Sequence, residues 1–292
     1  MANWLSPKQA LALIPGLNAE YQLHPLLGGH SNTVWRVDSA AGSYLLRLHS
    51  RQQQRAINRD AELWAWQQAA AAGIAPQIHH WDPHHRFSLS QYLNASPLAP
   101  EGVSADKLTA VVELISKLHQ LDGHKLKCHD YAALALSAHS MQPCQEPWLR
   151  QLCRQASHWQ QLLWQLEPEP CLCHHDPCPA NILDDGQQLW LIDFEYAALG
   201  SPLFDLAALS GDWPEAQQQA LRLAYCQQNQ RAEFPLLAVA AAKALCLLLS
   251  LLWWLGAAPA QSHAASQESR QIILRLQQQL SELLSCRPQL WR

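Results

Sequence analysis

The feature that most constrains this chain is a spacing of polar residues past its midpoint. Cys173-His174-His175-Asp176-Pro177-Cys178-Pro179-Ala180-Asn181 gives His-x-Asp, then an Asn five positions after the Asp. A second Asp, Asp193, follows that Asn by twelve positions, within Leu191-Ile192-Asp193-Phe194-Glu195-Tyr196. Between them Gln188-Leu189-Trp190-Leu191-Ile192 is an apolar run of strand type. Asn181 therefore ends a loop and Asp193 closes a strand, both facing one cleft. A loop Asp, an amide and a strand-end Asp, in that order, are the parts of a phosphoryl-transfer site.

The chemistry needs these residue types. A substrate hydroxyl must lose its proton as the phosphoryl group arrives, and Asp176 is the candidate base. Asn181 and Asp193 offer the hard oxygen ligands that Mg²⁺ prefers. His174 is read as a brace for the loop rather than as a base. Cys171, Cys173, His174, His175 and Cys178 have a competing reading as a zinc site. However, neighbouring strand residues point apart, so Cys173 and His174 do not aim at one ion. No second ligand pair at finger-like spacing follows, and buried structural thiols are the favoured account.

The chain has 292 residues, enough for one two-lobed domain or two small ones. Its net charge of −4 argues against a nucleic-acid binder, because phosphate backbones demand a basic face. Nine cysteines without framework spacing, and an N-terminus unlike a secretory signal, read as free thiols in a reducing cytoplasm. Ser6-Pro7 starts a helix that Pro15-Gly16 stops. The apolar stretch from Leu236 to Ala258 is cut by Lys243, and a buried helix is expected there rather than a membrane span.

Tyr21 to Leu27 and Thr33 to Val37 read as strands joined by Gly28-Gly29-His30-Ser31-Asn32. That turn is either an ordinary hairpin or a loop whose glycines admit phosphate close to the backbone. Ser43 to Leu48 reads as a third strand, with Leu46 and Leu48 on one face and Arg47 on the other. Arg47 is either a surface cation or a phosphate clamp. A helix from Arg55 to Ala72 carries Glu62, paired either with Arg47 or, solvated, with Arg59. Gln77 to His80 and Phe87 to Gln91 are further strands. A lobe boundary falls near Leu93, so that backbone groups from Gln91 to Leu93 would meet an adenine. Helices are expected over 108–121, 151–166, 215–229, 235–255 and 267–284; 124–147 is loop or partly helix.

Taken together, Gly28-Gly29-x-Ser31-Asn32, Arg47, Glu62, Leu118-His119, His174-x-Asp176-x4-Asn181, Ile192-Asp193-Phe194-Glu195-Tyr196 and Phe204-Asp205-Leu206-Ala207 resemble the choline kinase, thiamine kinase and aminoglycoside phosphotransferase superfamily. The resemblance covers about residues 20–260. It implies an α+β, protein-kinase-like fold of two lobes, with a nucleotide-binding lobe over 1–93 and a catalytic and substrate-binding lobe over 94–292. It implies ATP and Mg²⁺, Asp176 as base, Asn181 and Asp193 as metal ligands, and Asp205 bracing the catalytic loop through its following helix. The Ile-Asp-Phe-Glu-Tyr string and the Arg at position 47 resemble the choline and thiamine kinases more than the antibiotic kinases. Adjacent Trp253-Trp254 departs from the Trp-x-x-Trp of eukaryotic choline kinases, and the short chain looks closer to bacterial thiamine kinases.

The expected activity is therefore ATP-dependent phosphorylation of a small cationic alcohol, thiamine first and choline second. An aminoglycoside phosphotransferase and an inactive binding protein of the same fold are the alternatives. Tyr196, Glu195 and one of Trp253 and Trp254 are the candidate substrate contacts. Aromatic faces attract cations by about 0.5–2 kcal/mol each. Adjacent helix positions point about 100° apart, so only one tryptophan of the pair faces the site.

Overall fold

In the computed structural model, residues 5–15, 20–26, 32–50, 57–140, 146–257 and 263–287 are described. The N-terminal part contains α1 (Pro7–Leu11), β1 (Tyr21–Leu26), β2 (Thr33–Ser39), β3 (Gly42–Leu48), α2 (Arg59–Ala71), β4 (Ile78–Trp81) and β5 (Phe87–Gln91). Its strands form one antiparallel sheet in the order β1-β2-β3-β5-β4. Helix α1 starts where Ser6-Pro7 predicts: the Ser6 hydroxyl accepts from Gln9 N and the Gln9 side chain returns to Ser6 N. Ala10, Leu11 and Ile14 then pack with Val37, Leu46, Leu48, Phe87 and Leu89. Strand alternation turns Arg47 away from that cluster, toward α2.

The larger part begins with β6 (Ser96–Pro97), α3 (Ala105–His119), α4 (Tyr131–Ser140), α5 (Pro147–Leu166) and β7 (Cys171–Cys173). A 3₁₀ turn at Pro179–Asn181, β8 (Ile182–Asp184), β9 (Leu189–Leu191) and β10 (Ala198–Gly200) follow. Helices α6 (Pro202–Ser210), α7 (Glu215–Gln228), α8 (Leu236–Ala257) and α9 (His263–Cys286) complete it. A small antiparallel sheet ahead of a mainly helical lobe is the protein-kinase-like architecture expected. Helix α3 starts before the expected Leu108 because the Ser104 side chain caps it through Lys107 N. The unassigned stretch 124–147 holds α4. Asn181 lies in the 3₁₀ turn rather than at a plain loop end, and β7, β8 and β10 are three-residue strands, too short for periodicity to reveal.

Helix α8 is the spine of the helical lobe, packed between α4, α5, α6 and α9. Lys243 does not interrupt it. The ammonium leans out to Gln218 Oε1 at 3.0 Å and Glu215 Oε2 at 3.7 Å, and the helix runs on. By length and composition, Leu236–Gly256 is long and apolar enough to cross a bilayer, with mean hydropathy 2.2, yet 61% of that window is buried inside the fold. Leu248 is 0% exposed, so Leu248→Ala is expected to destabilise the protein by about 2–5 kcal/mol. Leu236 is 72% exposed, and Leu236→Ala is expected to stay within about 0.5 kcal/mol. Urea unfolding of the two variants measures the contrast.

Candidate active site

The loop after β7 is held by one carboxylate. Asp205, buried in α6, accepts His174 N at 2.7 Å on Oδ2 and His175 N at 2.8 Å on Oδ1. Asp205 thus braces the loop directly from within α6, not through a following helix. Burial works to raise the Asp205 carboxyl, but the His119 hydrogen bond and the surrounding histidines hold it below its ordinary value. His119 spans Asp205 Oδ2 at 3.2 Å and the Tyr225 hydroxyl at 2.8 Å. His174 donates from Nε2 to Ile192 O at 2.9 Å, since a carbonyl only accepts; its Nδ1 then accepts Asp176 N at 3.3 Å. Both ring nitrogens are committed, so His174 is the expected brace.

His175 takes a left-handed backbone, φ 64°. Its ring stacks on His129 with centroids 4.2 Å apart and meets the Tyr131 hydroxyl at 3.1 Å. A Cβ at Gly200 would stand 2.4 Å from His175 Nε2 and 2.8 Å from the Tyr131 hydroxyl. The loop therefore depends on a glycine, and on His129 and Tyr131, for which the sequence carries no local signal.

Asp176 projects from this loop. Asn181 Nδ2 donates to Asp176 O at 2.8 Å and to Asp176 Oδ2 at 2.9 Å. This leaves Asn181 Oδ1 without a partner among the described residues. The Asp176 carboxyl is pushed up to about 8, first by burial, then by the charges of Asp193 and Glu195; hydrogen bonds from Cys178 and Asn181 oppose the rise. Asn181 Oδ1 and the second carboxylate oxygen of Asp193 are hard donors, the type that fits Mg²⁺.

Arg47 joins the two lobes. It bonds Glu62 Oε1 through Nη2 and Asp193 Oδ1 through Nη1, the latter at 2.6 Å. Arg59 Nη1 takes the other Glu62 oxygen at 2.5 Å. Glu62 is fully buried between two arginines, so the two sequence readings of its partner hold together, and it is not solvated. Asn32 donates to Glu195 Oε2 at 3.2 Å; its Oδ1 accepts Ser50 N at 3.3 Å. Gly28, Gly29 and Ser31 lie outside the described residues.

Glu195 departs from the expectation. Instead of lining a substrate pocket it is buried against Asn32, with Arg59 Nη1 3.8 Å away. The chain leaves β9 at Leu191, and the left-handed backbone of Asp193, φ 67°, turns it again before Glu195. At the lobe boundary, Gln91 N is already committed to Gln77 O at 2.8 Å and Tyr92 N to Ser43 O at 3.3 Å. Gln91 N thus has no capacity left for an adenine, and Leu93 keeps the amide without a partner among the described residues. Tyr196 is hydrogen-bonded to the Trp253 side chain, whereas Trp254 packs on the main core. Trp253 is therefore the tryptophan of the pair that stands beside the motif. Burial first, then the Glu195 and Asp176 charges, pushes the Tyr196 hydroxyl above its ordinary value.

The thiol cluster is composed differently from the sequence reading. Cys171 Sγ and Cys173 Sγ lie 3.5 Å apart, and with His119 they form a group whose ligand atoms fall within 4.8 Å. His174 is elsewhere, and the His119 nitrogens face Tyr225 and Asp205.

Two outcomes follow from this geometry. Gly200→Ala is expected to cost about 1–3 kcal/mol through overpacking against His175, measured by denaturant unfolding. Asp176 is raised in the folded state, so its stabilising contribution is present at low pH and is lost as pH rises toward 8. Asp176→Asn removes that ionisation. Its melting temperature, read by calorimetry of the ligand-free protein, is expected to exceed wild type by more at pH 8 than at pH 5. A gain of 1 kcal/mol corresponds to about 2–4 °C at this size.

The sequence pattern of the phosphotransferase enzyme family matches residues 22–242. Protein LicA of Haemophilus influenzae is 22% identical over 223 residues, 70% of this chain and 63% of that protein. The match thus spans less than two thirds of that relative's length. The crystal structure of choline kinase LicA from Streptococcus pneumoniae superposes with a TM-score of 0.77 at 18% identity, covering 96% of this chain and 98% of that one. A choline/ethanolamine kinase family protein from Mesorhizobium loti gives 0.72 at 26% identity, covering 94% and 95%. The family pattern runs from β1 into α8 and contains the loop, both aspartates and Arg47: this chain belongs to the phosphotransferase enzyme family.

Proposed function

We propose that this protein transfers the γ-phosphoryl group of ATP to the hydroxyl of a small cationic alcohol, working as two lobes over 1–93 and 94–292. The observation that carries the reading is the convergence of Asp176, Asn181, Asp193 and Arg47 in one cluster. Asn181 orients the Asp176 carboxyl through Oδ2, and in its ionised form that carboxylate would accept the proton of the substrate hydroxyl. Arg47 offers a fork of donors to phosphate oxygens. When bound, Mg²⁺ offsets phosphate charge, with Asn181 and Asp193 as its protein ligands.

The cation reading rests on two aromatic side chains, Tyr196, whose hydroxyl feels the Asp176 charge, and Trp253, which is hydrogen-bonded to Tyr196. Among cationic alcohols we place choline and ethanolamine ahead of thiamine, because the similar structures are named for the former pair. A polycationic antibiotic is less well matched. Glu195, the carboxylate nearest the motif, is occupied by Asn32 and Arg59.

The test is ADP release with Mg²⁺-ATP over choline, ethanolamine, thiamine, kanamycin and homoserine. Choline or ethanolamine is expected to give the highest kcat/KM. Asp176→Asn is expected to lose about 10²–10⁴ in turnover. Trp253→Leu is expected to raise the KM of the preferred alcohol by about 2- to 30-fold while the ATP KM stays put. Turnover of kanamycin or homoserine above every cationic alcohol would sink the cation reading. No ADP release with any acceptor would favour the inactive binding protein.

A further inference from the structure

Two arginines, not one, converge on Glu62, and the second is only partly used. Arg59 is the first residue of α2, behind Asn58, whose side chain accepts Ala61 N at 3.2 Å. A helix N-terminus is an unfavourable place for a cation, because the dipole there has the same sign. Arg59 is nonetheless 4% exposed. Glu62 receives its Nη1 at 2.5 Å, and Glu195 stands 3.8 Å from the same nitrogen. Nε and Nη2 of Arg59 are buried with no hydrogen-bond partner among the described residues, and the same holds for Nε of Arg47. Each Glu62 oxygen already holds one guanidinium, and neither Nε nor Nη2 of Arg59 bonds to it.

Buried N–H groups without partners are rare and call for an acceptor. Three elements around Arg59 show where it comes from. Asn32 is bonded to Glu195, Arg47 is bonded to Asp193, and Glu195 follows Asp193 by two residues. Arg59 therefore sits one contact away from the Arg47–Asp193 bond, where the reading above puts the phosphates. A planar fork of donors suits phosphate oxygens. The cluster holds two arginines against Glu62, Asp193 and Glu195, so an added anion is best accommodated when it arrives with its divalent cation.

We infer that Arg59 is a second phosphate-binding residue, taking phosphoanhydride oxygens of a nucleoside di- or triphosphate through Nε and Nη2. The inference rests on the nucleotide-dependent reading above. Its rival is a structural role: Arg59 merely neutralises Glu62. Arg59→Lys separates the two, because an ammonium still neutralises Glu62 but lacks the two idle donor groups.

The experiment is calorimetric titration of wild type and Arg59→Lys with Mg²⁺-ADP, Mg²⁺-pyrophosphate and AMP. The expected result is an affinity loss of about tenfold or more for ADP and pyrophosphate, from charge-assisted hydrogen bonds removed, with AMP changed less than about twofold. Unchanged ADP affinity, or an equal loss for AMP, overturns the inference. Should Arg59→Lys fold poorly, the wild type decides: the Arg59 Nε–H resonance in nitrogen-15 NMR must shift with Mg²⁺-ADP and not with AMP. Wild type that binds Mg²⁺-ADP without moving that resonance leaves the kinase reading standing and removes Arg59. Wild type that binds neither ADP nor pyrophosphate removes both.

Discussion

The active loop depends on the Asp205 carboxylate more than on any other single group. One side chain accepts two successive backbone amides, at His174 and His175, where the second residue is left-handed. Hydrogen bonds to a charged group contribute about 1.5–3 kcal/mol each, the scale needed to hold a non-glycine residue in that conformation. The carboxylate is in turn fixed by His119 from α3, and His119 by Tyr225 from α7. Three helices of the core thus set the direction in which Asp176 leaves the loop. Sites on rigid elements hold their geometry better than sites on loops, and here a loop borrows that rigidity.

Across the cleft, charge rather than apolar burial joins the two lobes near the site. Arg47 bridges Glu62 and Asp193, while Asn32 and Arg59 hold Glu195. Buried ion pairs add little net stability, because desolvation offsets their attraction, yet losing one partner leaves a costly lone charge. Such a network fixes relative position more than it stabilises. It also concentrates carboxylates around Asp176, which is why burial and like charge together lift that group.

Much of this was legible in the chain. Asp176, Asn181 and Asp193 are separated by one turn and one short hairpin, so covalent spacing alone brings them together. Arg47 was legible because strand alternation isolates it from Leu46 and Leu48. Glu195 was offered to the substrate because it is close to the motif in sequence, and that closeness does not display its partners Asn32 and Arg59, which come from distant parts of the chain. At Gln91 the sequence could not show which backbone group is free: its amide is taken by Gln77, beside the sheet-edge strand β4, a pairing that spacing does not display. The choice between Trp253 and Trp254 lay in a contact with Tyr196, far off in sequence, and the need for glycine at 200 lay in the ring of His175. Local rules reach as far as the element; these last facts belong to packing between elements.

Helix α8 adds a matter of timing. Its apolar length satisfies the requirement for a bilayer span, and part of its cover comes from α9, which follows it in the chain. Synthesis proceeds at about 5–20 residues per second and earlier segments fold first. For some seconds, therefore, the emerging chain presents a membrane-compatible helix whose last covering layer has not yet left the ribosome. The interior helix that organises the helical lobe is thus also its most apolar exposed segment during synthesis, and a chain ending before α9 would carry that exposure permanently.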